Sequence, residues 1–322
     1  MKLKNIIYTV LIALLFVEVL IVFPRIIEQE EEQAKAEVQK NESQPIKSEN
    51  DQKMEGIHLV ESQAGARDWE LFAEQAEGSQ SSGAWTLKKV KVQFYSNNII
   101  EFIVSGDAGN IEGESRNLNI KGNVSITSAN GYSFKTPAIA YTSQRRLITS
   151  PGPVLMKGPP DKLSTGIELK GTGLKVWVDS TLMEIAGPVS ATRKMSDGKL
   201  FTVSSGVAKV SGKNQEIAFD GQVGIQYDNV KINGPEASFK YSADNILSSI
   251  IMKSGVQFMD QDKSAQANEM IFDLIKNKLN FKGQPKVQQG EDELSGEEIV
   301  FLDGGKKVKV ERVRARVDNK NK

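Results

Sequence analysis

The chain has 322 residues, about two average domains, and its 41 Lys and Arg residues balance 41 Asp and Glu residues. Because this balance leaves no basic field of the kind that holds nucleic acid, we expect no nucleic-acid partner. The sequence contains no cysteine and a single histidine, His58, which excludes a disulfide scaffold, thiolate metal sites and a histidine metal cluster.

An apolar run at residues 6–24 predicts a membrane anchor, because about twenty apolar residues in a helix cross a bilayer core. Lys2 and Lys4 precede the run and an acidic stretch follows it at 28–32. The positive-inside rule therefore places residues 1–5 in the cytoplasm and the rest of the chain outside it. A cleaved signal peptide is the alternative, but no small-x-small cleavage site follows the run. We favour an uncleaved, single-pass anchor.

Glu18 lies inside this apolar run. A carboxylate in lipid is costly and such residues usually face other protein, so Glu18 is a candidate for contact with a membrane partner. The alternative is that Glu18 lies near the outer end of the anchor and reaches toward the headgroups, or is protonated.

Two different compositions follow the anchor. Residues 25–54 are rich in Glu, Gln, Lys, Asn and Ser and cannot bury a core, which predicts a flexible stalk. From residue 55 onward apolar residues alternate with polar ones, which predicts strands with one buried and one wet face. The segment 90–95 is an example, with Tyr95 in the wet phase. Helical periodicity is limited to a weak stretch at 268–275.

A longer regularity lies on top of this alternation: a short apolar segment ends in glycine, and a valine follows almost at once. Such a period of roughly 30 residues is typical of stacked units that bury their apolar faces only against their neighbours. A residue without Cβ suits a strand that bends tightly. We therefore predict an all-β, jelly-roll-like antiparallel sandwich whose strands fold over at these glycines. The glycines are Gly122, Gly152, Gly187, Gly221, Gly255 and Gly283.

The glycine spacing continues unchanged across residue 193, where no proline-rich or low-complexity linker intervenes. The dipeptide Asp197-Gly198 is instead a hairpin signal. We therefore expect one uninterrupted stack of strands rather than two separate sandwiches.

Residues 55–193 resemble the LptC family, the single-span periplasmic component of lipopolysaccharide export. The resemblance lies in an ordered series of segments, among them Trp69-Glu-Leu-Phe-Ala73, Leu118-Asn-Ile-Lys-Gly122-Asn-Val124 and Ile185-Ala-Gly187-Pro-Val189. It implies an inner-membrane anchor, a twisted β jelly roll in the periplasm, and docking on the membrane subunits of the ABC transporter that extracts lipopolysaccharide.

Residues 194–317 are similar to the LptA and organic-solvent-tolerance (OstA) family of soluble bridge proteins, and 318–322 are expected to be a disordered tail. The matching pieces include Gly221-Gln-Val223, Gly234-Pro-Glu-Ala237 and Lys282-Gly-Gln-Pro285. Typical members of the first family stop near the end of one jelly roll, whereas this chain carries on into a second β region.

The two resemblances imply that acyl chains of lipopolysaccharide lie between the facing sheets and pass along them toward the outer membrane. Alternation puts candidate groove residues on apolar faces but does not separate a groove lining from a sealed core. The alternative is a structural or assembly protein of the envelope with a solid core. The candidates are Val124, Ile126, Phe134, Ile139 and Tyr141 in the first half, and Val223, Ile225, Phe239, Tyr241, Phe258 and Phe281 in the second.

The sequence contains no catalytic constellation, so we expect no enzyme activity, cofactor or metal. The last strand is crowded with basic residues, and its hydrophobic phase changes near Glu311, which predicts a bulge. These basic residues form either a charged edge that resists self-pairing or a contact for phosphate groups or an acidic partner. This edge is also where a further β-jelly-roll bridge protein would dock. The basic residues are Lys306, Lys307, Lys309, Arg312, Arg314 and Arg316.

Overall fold

The computed structural model describes residues 52–63, 65–78, 83–160, 164–195, 197–302, 307–312 and 314–316. The predicted anchor, Glu18 and nearly all of the predicted stalk lie outside these residues, as do Lys306 and the predicted tail. Within the described ranges, no helix is long and apolar enough to cross a membrane.

The described residues form 24 strands in one antiparallel sheet, with a single 3-10 turn at Ser143–Arg145. In the first half the strands are β1 (Gln52–Gln63), β2 (Ala66–Gly78), β3 (Trp85–Ser96), β4 (Ile99–Ile111), β5 (Leu118–Ser128), β6 (Ser133–Thr142), β7 (Leu147–Lys157), β8 (Ser164–Trp177), β9 (Leu182–Ile185) and β10 (Val189–Met195). β1 therefore begins inside the predicted stalk.

The second half continues in the same way. Its strands are β11 (Leu200–Ser205), β12 (Val207–Ser211), β13 (Glu216–Tyr227), β14 (Val230–Tyr241), β15 (Leu247–Lys253), β16 (Val256–Asp260), β17 (Lys263–Ala267), β18 (Glu269–Asp273), β19 (Lys278–Lys282), β20 (Lys286–Gln289), β21 (Asp292–Ser295), β22 (Glu298–Leu302), β23 (Lys307–Glu311) and β24 (Arg314–Arg316). β18 covers most of the stretch 268–275, so the weak helical periodicity there was misleading.

Each long strand bends once near its middle, and the bend divides the sheet into two halves. In the second half of the chain, β10, β11, β16, β17, β20, β21 and β24 pair on one side of the bend, which we call half-sheet A. On the other side β9, β12, β15, β18, β19, β22 and β23 pair, which we call half-sheet B. β13 and β14 run through both. The long strands of the first half also run through both, so that in β5 residues 124–127 lie on half-sheet A and residues 118–121 lie on half-sheet B. Apolar side chains from the two half-sheets pack into one hydrophobic core.

The predicted glycines lie at these bends. In β5 the pairing with β6 skips from Lys121 to Val124, so Gly122 is the bend, and Gly187, Gly221, Gly255 and Gly283 interrupt later strands likewise. All five have φ between +76° and +104°, the left-handed region that glycine adopts without steric cost. Gly152 also lies at a register shift, between Ser150 and Pro153, but without a positive φ.

The sheet runs without a break across the proposed boundary near residue 193. β10 pairs with β8 on one side and with β11 on the other. The predicted Asp-Gly hairpin joins β10 to β11, with the amide of Met195 donating to the carbonyl of Lys199 at 2.9 Å and Gly198 at φ +84°. The prediction of one uninterrupted stack is therefore confirmed.

A pair of glycine substitutions tests the bend. Gly221→Ala forces an alanine into φ +82°, so we expect it to lower the free energy of unfolding by about 1–2 kcal/mol. Gly152→Ala is the matched control, since its φ is not positive and the nearest atom to its added Cβ would be Pro137 Cδ, at 3.4 Å. Urea unfolding of both variants measures the difference. Equal stability losses would mean that the left-handed backbone does not determine the bend.

Candidate functional site

The candidate residues of the first half all point into the space between the half-sheets. Val124, Ile126 and Phe134 lie on half-sheet A, where Ile126 and Phe134 are direct cross-strand neighbours. Ile139 and Tyr141 lie on half-sheet B. All five side chains are buried. The structure therefore brings the whole predicted set together, but as packed residues rather than as the wall of an open groove.

The candidates of the second half are arranged in the same way on both half-sheets. Val223, Ile225 and Phe258 lie on half-sheet A, and Phe239, Tyr241 and Phe281 lie on half-sheet B. Phe258 and Phe281 meet across the interior, with ring centroids 5.8 Å apart. Tyr241 and Phe258 are half-buried, and the other four are buried.

Burial of the interior is deepest inside the stack and decreases toward its edge strands. In the first half Phe94 of half-sheet A packs against Tyr141 of half-sheet B with ring centroids 4.6 Å apart, and both are about 1 % exposed or less. Toward the C-terminal strands the inward side chains Phe272, Leu279 and Phe301 are half-buried, and Val308 in β23 is 48 % exposed. The inward side chains of β1 are half-buried as well. The interior is thus closely packed in the first half and partly open toward the C-terminal strands.

A polar cluster closes the mouth of the first half, opposite the bends. Asp68 is 2 % exposed and accepts hydrogen bonds from the hydroxyl of Tyr141 at 3.3 Å and from the guanidinium of Arg146. The same guanidinium donates to Asp179 through Nε at 2.5 Å and to the carbonyl of Tyr95. We call Asp68, Tyr95, Tyr141, Arg146 and Asp179 the mouth clasp.

The mouth clasp joins the two half-sheets. Asp68 and Tyr95 belong to β2 and β3 on half-sheet A, whereas Arg146 and Asp179 lie in hairpins of half-sheet B. Arg146 has the left-handed backbone (φ 46°, ψ 44°) that ends the 3-10 turn, and its amide donates to the carbonyl of Ser143 at 3.1 Å. The sheet thus holds the guanidinium between two carboxylates.

Burial raises the pKa of Tyr141 well above its ordinary value, and the nearby charge of Asp179 raises this pKa further. The phenol of Tyr141 is protonated at neutral pH in any case, and the raised pKa keeps it a hydrogen-bond donor to a higher pH than an ordinary tyrosine. Tyr95, which alternation placed on the wet face, is buried instead, because Arg67 stacks over its ring at 5.2 Å and Arg146 binds its carbonyl.

Comparison with known families gives two matches in chain order. The model for "Lipopolysaccharide-assembly, LptC-related" proteins matches residues 10–192, more than half of the chain. The chain belongs to the LptC-related family. The model for "LptA/(LptD N-terminal domain) LPS transport protein" matches residues 202–303 of the same chain. This LptC-related protein therefore carries lipopolysaccharide-transport sequence in both halves, as its residues predicted.

Solved structures similar to this LptC-related chain include LptH of Pseudomonas aeruginosa, described as the LptA homologous periplasmic component of the conserved lipopolysaccharide transport device. The two share 14 % identity with a TM-score of 0.34, and the match covers 37 % of this chain and 94 % of LptH. No curated protein sequence matches the chain.

The C-terminal edge of this LptC-related chain carries the predicted basic residues. Arg312, with φ 53°, separates β23 from β24, so the predicted phase change is another bend. Arg312 pairs with Glu297 at 2.5 Å, and Lys309 pairs with Glu311 at 3.5 Å. These exposed pairs fit a charged edge and add little stability.

The clasp was not predicted from the sequence. Asp68 lies 73 residues from Tyr141, and the residues of the clasp come from four separate strands or hairpins. No spacing of residues within a short segment of the sequence therefore indicates the clasp. Strand pairing is irregular at two clasp residues: the pairing of β1 with β2 skips Asp68, since Glu61 faces Trp69 and Ser62 faces Arg67, and the pairing of β3 with β4 shifts between Phe94 and Tyr95.

Removing one charge tests the clasp. In Asp68→Asn the guanidinium of Arg146, whose side chain is 15 % exposed, loses its buried carboxylate partner, so we expect the free energy of unfolding to fall by about 3 kcal/mol. Amide hydrogen exchange in β6 should accelerate, because its end is released. The control is Asp107→Asn, whose exposed carboxylate pairs with Lys89 at 3.1 Å and should contribute little. Equal losses in the two variants would contradict a structural role for the clasp.

Proposed function

We propose that this chain is the inner-membrane component of a lipopolysaccharide bridge, with the docking module and the first bridge module joined in one polypeptide. The observation that carries the proposal is the order of the two family matches on a single sheet. LptC-related sequence up to residue 192 is followed by LptA-like sequence from 202, and β10 and β11 pair across the junction. In this proposal residues 55–193 and 194–317 are two functional domains of one continuous stack.

The proposed mechanism is passive and uses the apolar interior. Acyl chains replace contacts between the half-sheets, and each methylene removed from water contributes about 0.8 kcal/mol. Because the interior is packed in the first half, the half-sheets must separate locally to admit a lipid. The sugars stay outside, ATP hydrolysis in the transporter drives net movement, and this chain performs no catalysis.

A second candidate function is favoured by the packing itself. The buried aromatic pair Phe94 and Tyr141 and the mouth clasp seal the first half as an ordinary protein core would. On this alternative the chain is a structural or assembly protein of the envelope, and lipid never enters between the half-sheets.

Photo-crosslinking separates the two candidates. A benzophenone amino acid at inward-facing Phe134 or Phe258 should form adducts with lipopolysaccharide during ATP-driven export. The matched controls are the outward-facing neighbours Lys135 and Met259, which are exposed and should give none. Adducts are scored by immunoblot against lipopolysaccharide in membranes that contain the transporter.

Phe258 is the safer probe position because its side chain is half-buried and a larger group has space to move outward. Folding of each variant is checked by its urea midpoint. Folded variants that give no adduct at either inward position, or equal adducts at inward and outward positions, would favour the structural alternative.

We also propose that residues 6–24 anchor the chain in the inner membrane with the bulk of it in the periplasm, and that Glu18 contacts the membrane subunits of the export ABC transporter. The support is the apolar run with its preceding lysines and the carboxylate inside it. A carboxylate that faces a partner helix keeps a polar contact that lipid does not offer.

A substitution at Glu18 tests this contact. Glu18→Leu makes the anchor more apolar, so insertion should persist or improve, while co-purification with the transporter should fall. Val19→Leu, on a different face of the predicted helix, is the control and should co-purify normally. If the Glu18→Leu variant still co-purifies with the transporter as the parent does, the result would instead support the alternative in which Glu18 lies near the headgroups.

A further inference from the structure

A hollow of about 900 Å³ lies on the outside of the sheet, along the bends of the second half. Its size falls within the 300–1,000 Å³ that is usual for small-ligand sites. The bends at Gly234, Gly255 and Gly283 form part of its floor. Its rim carries six exposed amide side chains, and we call the site the amide hollow. The amides are Gln222, Asn233, Gln257, Gln266, Asn268 and Gln284.

Strand register aligns half of these amides. Asn233 of β14 faces Gln257 of β16, Gln257 faces Gln266 of β17, and Gln266 faces Lys286 of β20. These four residues therefore form one row across four neighbouring strands, about 4.8 Å apart from strand to strand. The remaining amides border the row at the bends. The hollow thus presents regularly spaced donors and acceptors along an extended path.

The amide hollow differs from the rest of the outer face. Elsewhere that face carries cross-strand ion pairs, such as Lys175 with Glu184 at 3.1 Å and Lys209 with Asp220 at 2.9 Å. Among the described residues, no side-chain hydrogen bond engages the six amides of the hollow. The one cation on the rim, Lys286, pairs with Glu293 at 2.8 Å. The site is therefore uncharged overall, with its polar groups directed to solvent.

We propose that the amide hollow binds an uncharged oligosaccharide. A carboxamide offers both donors and an acceptor, which matches hydroxyl and acetamido groups that are themselves both donors and acceptors. A strongly anionic ligand would require cations that the site does not supply. The amides of this site are exposed, whereas the interior proposed for acyl chains is buried, although the hollow reaches Val223 at the bend. The site would hold a glycan against the outside of the bridge.

A peptide ligand fits the site less well. β16 is paired on both sides, with β14 and β17, and β17 is paired with β16 and β20. An extended peptide therefore finds no free strand edge to extend. The lining also lacks a large apolar side chain that would form a pocket for a peptide residue.

Ligand-observed saturation-transfer NMR with the full chain in detergent micelles tests the proposal. The neutral probes are two tetrasaccharides. Tetra-N-acetylchitotetraose carries acetamido groups, and maltotetraose carries hydroxyl groups only. Lipid-free, phosphorylated core oligosaccharide of lipopolysaccharide is the anionic arm, and empty micelles give the background. We expect at least one neutral tetrasaccharide to bind, and to bind more tightly than the anionic core.

The double variant Gln257→Ala/Gln266→Ala should weaken that binding about tenfold, because two net hydrogen bonds are lost. Gln226→Ala is the matched control, since Gln226 is an exposed amide of β13 outside the hollow and should leave affinity unchanged. The proposal is overturned if neither neutral probe binds, if the anionic core binds more tightly, or if the double variant binds as well as the parent. None of these outcomes depends on acyl-chain transport through the interior.

Discussion

The bend within each long strand is the constraint on which the rest of the structure depends. Because a strand continues through its bend, the same hydrogen-bonded neighbours serve both half-sheets, and the apolar face ends up enclosed between them. Many of the bends have backbone in the left-handed region, which glycine supplies at Gly122 and Gly221, whereas Gly152 lies at the bend of β7 without a positive φ. Lys89 and Arg312 hold positive φ at the corresponding places of β3 and β23, so the sheet imposes the bend even where the residue disfavours it.

A stack built in this way grows along one direction and has only two ends. β1 covers one end and places Ile57 and Leu59 against the core. The other end carries β23 and β24, where the charged side chains of Lys309 and Arg312 are paired within the edge. Burial decreases from Tyr141 toward both edges of the stack, since Val308 of β23 is 48 % exposed and Ile57 and Leu59 of β1 are half-buried.

The sequence predicts what depends on local chemistry. Alternation places Ile126 and Phe281 inward, and the glycine period places the bends, because each of these properties is decided by a residue and its immediate neighbours. The mouth clasp joins Asp68 to Tyr141 across 73 residues, and the amide hollow joins Asn233 to Gln266 through an intervening strand. Both depend on the pairing register of the strands. The alternating pattern decides which face of the sheet a residue occupies, but it does not decide which residue of the neighbouring strand lies opposite. Whether apolar faces touch or leave a groove depends on the separation of the half-sheets, which alternation does not encode.

The contacts that close the interior differ between the two halves, and this difference decides where the half-sheets separate most easily. Separating Phe258 from Phe281 breaks dispersion contacts that an acyl chain can replace, so most of the lost contact energy is regained. Separating Asp68 from Arg146 leaves two charges without their partners, and a hydrocarbon chain cannot replace the lost ion pair. In the second half the contact of Tyr227 with Asp197 at 2.6 Å joins neighbouring hairpins of half-sheet A and does not oppose opening. The half-sheets of the LptA-like half therefore separate more readily than those of the LptC-related half, which fits the division of roles that we propose.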